Sequence, residues 1–397
     1  MALLKQKTLW LGVLGALAAL SVFGAAMIGS IAGAKPQALP VALVVLDEPV
    51  RLPSGETLAV GAMVKEKLLA NAQLPVKWDV VGTEAEARAG MDAQAYYGAL
   101  ILPADMSAGV LSLQTGSPRP GVVQIVSNDG MNMQAATAVK QILQQAMKLI
   151  GHELSKQALG SIGKQTPQLP VAAAQSLLTP IEVREETVHP VGANHASGSA
   201  PGMLTQILWI GCLIASAILF LTARKTAADG ARSGTTVLLQ TIVGIVLTGA
   251  VSGFIVWMAS GWYGMELANA GKVWLALWLA GLAFFFLQSS LLVWIGLPAM
   301  AVLVLLMFFS MPVLNLAPEF LPRATHDWLY SWTPLRFAAS ELRQTLYFDG
   351  VASSAPNAAV LWWVAGVGLA LQLASALRKG GARERNGGAV SAAAEGR

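Results

Sequence analysis

Apolar residues are arranged in two ways along this chain: long unbroken runs at its start and over its second half, short periodic runs between them. Residues 9–34 form the first long run, behind Lys5 and Lys7. Uncharged runs return at 203–223, 235–260, 273–318 and 358–376. A membrane-spanning helix needs about 20 such residues. Residues 273–318 are too many for one helix rising about 1.5 Å per residue, and Gly296-Leu297-Pro298 offers a turn inside them. Two antiparallel helices, 273–295 and 298–316, are therefore expected there. With 9–34 the pattern predicts about six transmembrane helices. The first run exceeds the usual 7–15 residues of a signal h-region, so it is read as a retained anchor, although Ala32-Gly33-Ala34 resembles a cleavage site.

Residues 40–165 have shorter periods. The run 41–46, the alternating stretch 76–81, and residues 97–102 and 122–126 read as strands. Residues 60–69 have helical spacing. Thr83 with Glu86 three residues on reads as a helix start. Residues 132–160 predict the longest helix, with Ala135, Val139, Ile142, Ala146, Leu149 and Ile150 on one face. Strands alternating with helices predict a layered α/β domain with some parallel pairing. The Pro-bearing residues 164–200 read as an extended return to the membrane. The fold expected is a polytopic α-helical membrane protein with an α/β domain between its first and second helices.

Charge sets the orientation. Only 12% of the residues are charged and 55% are hydrophobic, with mean hydropathy +0.57. That depletion matches segments in lipid, where each central charge costs roughly 2.5–3.5 kcal/mol. The net charge of +4 is dispersed at the ends of apolar runs, so it orients helices and implies no nucleic acid. Lys5, Lys7, Arg224, Lys225, Arg232, Arg378, Lys379, Arg383 and Arg385 share one side if the helices alternate, and the positive-inside rule makes that side cytoplasmic. The expected order is a cytoplasmic N-terminus (1–8), an anchor (9–34), an extracytoplasmic domain with its return segment (35–200), a five-helix membrane region (201–377) and a cytoplasmic, disordered tail (378–397). Within the membrane region, 317–350 is expected as an outer interfacial segment. Its helix would place Leu335, Ala338, Ala339, Leu342 and Leu346 along one side, with Arg336, Glu341 and Arg343 elsewhere.

The motifs for chemistry read as structure. Gly160-Ser161-Ile162-Gly163-Lys164-Gln165 lacks phosphate-loop spacing and follows a helix. His152, His189, His195 and His326 have no ligand spacing and read as solvated polar residues. Asp105 and Ser107 read as helix-capping residues. No catalytic residue, metal ligand or cofactor is expected, and Cys212 alone builds no disulfide. Gly29-x-x-x-Gly33 and Gly249-x-x-x-Gly253 could let helices approach closely. The later apolar runs carry no Asp, Glu, His, Lys or Arg, which argues against proton-coupled transport, whose relays place such groups mid-membrane.

The chain resembles the phage-infection-protein (Pip/YhgE) family, within the type-2 ABC exporter permeases. The resemblance is carried by Val44-Val45-Leu46-Asp47-Glu48 after the anchor and by Trp78-Asp79-Val80-Val81. It continues through Tyr96-Tyr97-Gly98 to Asp105-Met106-Ser107, then Ser127-Asn128-Asp129-Gly130-Met131-Asn132, and Ala200-Pro201 leading to Leu208-Trp209-Ile210-Gly211. It ends with Phe320-Leu321-Pro322 through Pro334 to Arg343 and Tyr347. The chain departs from it in its short N-terminus and smaller outer domain.

The resemblance implies a permease of the bacterial inner membrane that dimerises with itself or a second permease. It would move a hydrophobic or amphipathic substrate outward, powered by a separate ABC ATPase. The family's phage-adsorption role allows another class of function, an envelope receptor or scaffold that transports nothing. An ATPase would need a cytoplasmic surface, and only Arg224, Lys225, Asp229 and Arg232 offer a charged loop joining two spans.

Overall fold

The computed structural model describes residues 34–52, 56–112, 119–162, 176–226, 234–348 and 355–377, with Ser21 and Gly24 ahead of them. The proposed anchor at 9–34 lies almost wholly outside the described residues, and the tail after residue 377 lies outside them entirely. The described residues of Met1–Ser199, Asn315–Trp328 and Tyr347–Ser353 form one compact unit, and those of Ala200–Leu314, Leu329–Leu346 and Ser354–Arg397 form a second.

The first unit is built on a five-stranded sheet. Its strands are β1 (Leu39–Val45), β4 (Val76–Val81), β5 (Gly98–Leu102), β6 (Gly121–Asn128) and β7 (Ile181–Val188), while β2 (Val50–Arg51) and β3 (Thr57–Leu58) form a separate small ribbon. The spatial order is β4-β1-β5-β6-β7, parallel except where β5 meets β6. Successive side chains of a strand point to opposite faces, and β1 shows why its run is apolar throughout. Leu39, Val41 and Leu43 enter one core, Ala42 and Val44 the other. The larger core is covered by α1 (Val60–Ala70), α3 (Met106–Ser112) and the 30-residue α4 (Met133–Ile162). The smaller is closed by Ala87 and Met91 of α2 (Glu84–Asp92). Thr83 caps α2 as its sequence predicts, accepting from the Glu86 amide at 3.1 Å, while the Glu86 carboxylate accepts from the Gly82 amide at 2.8 Å.

Three expectations change in this unit. The return segment contains β7, a full strand parallel to β6 with the register Gly121↔Ile181 to Asn128↔Val188. Its sequence, IEVREETV, is too polar to announce a strand, because an edge strand buries little. Arg88 of α2 ties it down through paired bonds of 2.8 and 2.7 Å to Glu186, holding that carboxyl below its ordinary range. The pair is over a third exposed, so it adds at most about 1 kcal/mol. A self-contained domain therefore cannot stop at residue 165.

Second, the face expected for α4 holds at Ala135, Val139, Ala146 and Ile150, but Leu149 is 66% exposed. Leu143, Met147 and Leu154 take the core positions instead. Third, residues after the helical runs belong to this unit. Ala317 is buried in the larger core with Phe320 against it, and Tyr97 donates to the Glu319 carboxylate at 2.6 Å.

The second unit is helical: α5 (Ala200–Thr226), α6 (Gly234–Trp257, continued by a π turn to Trp262), α7 (Ala270–Ile295), α8 (Ala299–Asn315), α9 (Pro334–Tyr347) and α10 (Ala355–Ala374). The spans Ala200–Lys225, Gly234–Trp262, Ala270–Ile295 and Pro356–Leu377 are long and apolar enough to cross a membrane. At 17 residues, α8 covers only about 26 Å of the roughly 30 Å hydrocarbon layer. Four membrane-capable helices among the described residues make this a multi-pass membrane protein.

The central helix is α7, with α5, α6 and α10 packed on it. Trp274 and Trp278 stack on each other and donate their indole N–H groups to the Gly249 and Ile245 carbonyls of α6, at 3.0 and 3.1 Å. Gly249 and Gly253 admit these rings: a Cβ at either would stand 3.2 or 3.5 Å from an indole nitrogen. The glycine pair thus serves packing within the chain.

Candidate functional site

Of the four loop residues singled out in the sequence, the structure places two. Arg224 and Lys225 are exposed in the last turn of α5, where cations favour the negative end of the helix dipole. Asp229 and Arg232 lie outside the described residues. Beside the two cations, the end of α5 and the start of α6 enclose a groove of about 310 Å³ lined by Leu219, Thr222, Ala223, Thr236, Leu239, Gln240 and Val243.

Behind this end, the polar groups that join the long helices of the helical unit are uncharged. Gln372 of α10 donates to the Thr241 hydroxyl of α6 at 3.2 Å. Gln288 of α7 donates to the Trp209 carbonyl at 3.2 Å, and Ser289 to the Ser216 hydroxyl at 3.3 Å. These pairs join neighbouring helices where lipid offers no competing partner. None can take up a proton and move it as a carboxylate or imidazole relay does.

The α/β unit has its own concavity, about 570 Å³, between the end of α1 and the middle of α4. Leu68, Leu74, Pro75, Ile142, Ala146, Leu149 and Ile150 supply its walls, with Lys67, Asn71, Gln73, Gln145 and Glu153 around them. Apolar walls with a few polar groups suit an apolar or amphipathic molecule. The signal in the sequence was Leu149: it keeps the helical spacing of a core residue and lies open in this groove.

Ser107 and Asp47 meet at the opposite end of α1 in a support role. The Ser107 hydroxyl donates to Asp47 Oδ2 at 2.6 Å and accepts from the Val60 amide at 2.8 Å. The Asp47 carboxylate also accepts from the Ser107 and Gly61 amides, at 2.7 Å each. One carboxylate therefore caps the first turns of α1 and α3 together. Asp105 gives only its carbonyl, to the Gly109 amide.

Two of the four histidines, His152 and His326, are exposed as expected, but His189 and His195 are not. His195 is 3% exposed, with Nδ1 3.1 Å from the Tyr347 hydroxyl. His189 sets Nδ1 3.1 Å from Asn128 Oδ1 and Nε2 3.2 Å from Asp92, and its ring lies 4.3 Å from that of Phe348. Asn128 spends both amide hydrogens on the Met91 and Tyr96 carbonyls, which fixes its oxygen toward His189. The histidines therefore hold Tyr347 and Phe348 within the α/β unit. Among the described residues, no group of three His, Cys, Asp or Glu could hold a metal ion.

Helix α9 departs from the expected half-exposed pattern. Leu335, Ala338, Ala339 and Leu342 enter the core of the helical unit, but Glu341 is also buried at 9% exposure, with Oε2 unpartnered. Burial pushes this carboxyl above its ordinary range. A raised carboxyl contributes stability below its unfolded-state pKa and loses it as pH rises through the folded value. Glu341→Gln removes that loss. In detergent at pH 8 the variant should melt higher than the parent, by about 2–4 °C for each kcal/mol relieved, with the gap closing toward acidic pH. A lower melting temperature at pH 8 would show that the carboxylate is supported.

The chain matches the family described as "Protein of unknown function (DUF3533)" over residues 8–367. No curated protein and no solved structure matches.

Proposed function

The chain belongs to the DUF3533 family, and from that premise we propose that it is the permease subunit of an ABC-type exporter. The observation that carries this reading is the pairing of spans charged only near their ends with an open apolar groove on the α/β unit. Spans whose interior polar groups are amides, hydroxyls and indoles offer no proton relay, so energy comes from another polypeptide. The groove suits a hydrophobic or amphipathic cargo arriving on the outer side. The resemblance to phage-infection-protein permeases supports the same reading.

In this arrangement six helices cross the bacterial inner membrane, with the anchor at 9–34 and α8 completing the set. Both termini are cytoplasmic and residues 35–200 are outside. The chain dimerises with a like permease, and it neither catalyses a reaction nor carries a cofactor. The ATPase engages the loop from Arg224 to Arg232, which joins α5 to α6, so that a push on the loop tilts both helices.

The test inverts the middle of the loop. Asp229→Lys with Arg232→Glu leaves Arg224 and Lys225 to hold orientation. Membrane insertion is expected to stay normal while co-purification of the ATPase, or its stimulation, falls about tenfold, equivalent to about 1.4 kcal/mol. Unchanged association would remove the coupling role from this loop. Purification without any nucleotide-binding partner would favour the receptor or scaffold reading instead.

A further inference from the structure

We propose that the groove between α5 and α6 holds one anionic membrane lipid, its acyl chain between the helices and its phosphate against Arg224 and Lys225. The groove, about 310 Å³, is walled by Leu219 and Ala223 from α5 and by Leu239 and Val243 from α6. Around it, Leu221, Leu238, Ile242 and Val246 are 43–67% exposed. These helices are membrane-capable, so the medium facing such a surface is hydrocarbon. What enters a groove there is an acyl chain, since a water-soluble ligand would have to cross that medium.

Charge chooses among lipids. Arg224 and Lys225 directly follow Ala223 of the groove wall, at the end of the span where a headgroup lies. Neither cation is in an ion pair among the described residues. Together they set two exposed positive charges there. A phosphodiester complements that charge, whereas the choline of a zwitterionic lipid adds a like charge. The guanidinium of Arg224 can take two phosphate oxygens at once. Arg224 and Lys225 thus hold the headgroup at the start of the loop, whose coupling function is tested separately at Asp229 and Arg232. This inference rests on the bilayer placement of α5 and α6 and not on transport.

Native mass spectrometry of the full chain in mild detergent tests it, with added phosphatidylglycerol or phosphatidylcholine as probes. Phosphatidylglycerol is expected to bind about tenfold tighter than phosphatidylcholine. Arg224→Gln with Lys225→Gln should abolish that preference and leave phosphatidylcholine binding as it was. Val243→Trp fills the groove without touching the charges and should displace both lipids; Leu239→Phe, on the same wall, makes the same test by a smaller change. Equal binding of the two lipids by the parent chain would overturn the proposal. So would a folded filling variant that keeps phosphatidylglycerol at parental affinity. If the double glutamine variant keeps its lipid preference but loses the ATPase, the cations belong to a protein contact and the lipid site is refuted.

Discussion

Valine at position 368 is expected to unseat α10 from α7, while valine at position 366, two residues away, is expected to be silent. A Cβ at Gly368 would stand 2.7 Å from the carbonyl carbon of Phe286 and 2.9 Å from the Leu287 nitrogen. Both are helix backbone and cannot rotate aside as a side chain would. The helices must separate, losing the packing of Leu361 and Ala365 in the same core. Overpacking costs about 1–3 kcal/mol when side chains can adjust, and the rigid contact puts this substitution at the upper end or beyond. Gly366 has nothing within 4 Å of a built Cβ, so the same residue there meets only open space. The readout is the monodisperse fraction in size-exclusion chromatography and the melting temperature. Gly368→Val should lose most of the folded peak and Gly366→Val should match the parent. Equal behaviour of the two would mean that α10 does not sit on α7 at this depth.

The second large effect is expected at Asp47. Its carboxylate accepts from the Ser107 hydroxyl and from the Ser107 and Gly61 amides. Asp47→Ala removes three bonds to a charged acceptor, each worth about 1.5–3 kcal/mol when buried. Partial exposure of Asp47 lowers the total, to about 3 kcal/mol. Gly61 is constrained by the same contact, since a Cβ there would lie 2.4 Å from Asp47 Cβ. Hydrogen exchange should accelerate at Gly61 and Ser107 first, ahead of β1 and β5. Ser107→Ala should cost less, about 1–2 kcal/mol, and the double variant less than the sum, because one network is broken twice. Additive costs would show that Asp47 and Ser107 act separately.

Much of this architecture was legible in the residues, for identifiable reasons. β1, β5 and β6 are buried on both faces or nearly so, and leave unbroken apolar runs. Thr83 and Glu86 announce a helix start by side-chain chemistry alone. The spans at α5, α6, α7 and α10 show because lipid imposes length and charge exclusion on one continuous segment. β7 was hidden because an edge strand held by Arg88 can be as polar as a loop. Leu149 and Glu341 were misplaced because helical spacing tells which residues share a face, not what covers it. Neither groove was legible, since each is formed by two helices whose mutual position no local pattern encodes. Of the loop residues, Arg224 and Lys225 stand where their sequence put them, at a helix end beside a groove that sequence did not announce.

The α/β unit takes its residues from three separated stretches. Glu319 receives the Tyr97 hydroxyl, Ala317 fills the larger core, and Tyr347 and Phe348 lie against His195 and His189. A unit closed by a single stretch can be excised, exchanged or inserted elsewhere as a cassette. This one cannot. A chimaera that takes only residues 35–199 from another family member would bring a Tyr97 position with no matched carboxylate and a core with no matched Ala317. Exchange of this unit between relatives is therefore expected to succeed only with crossovers that carry all three stretches, or with whole-chain replacement.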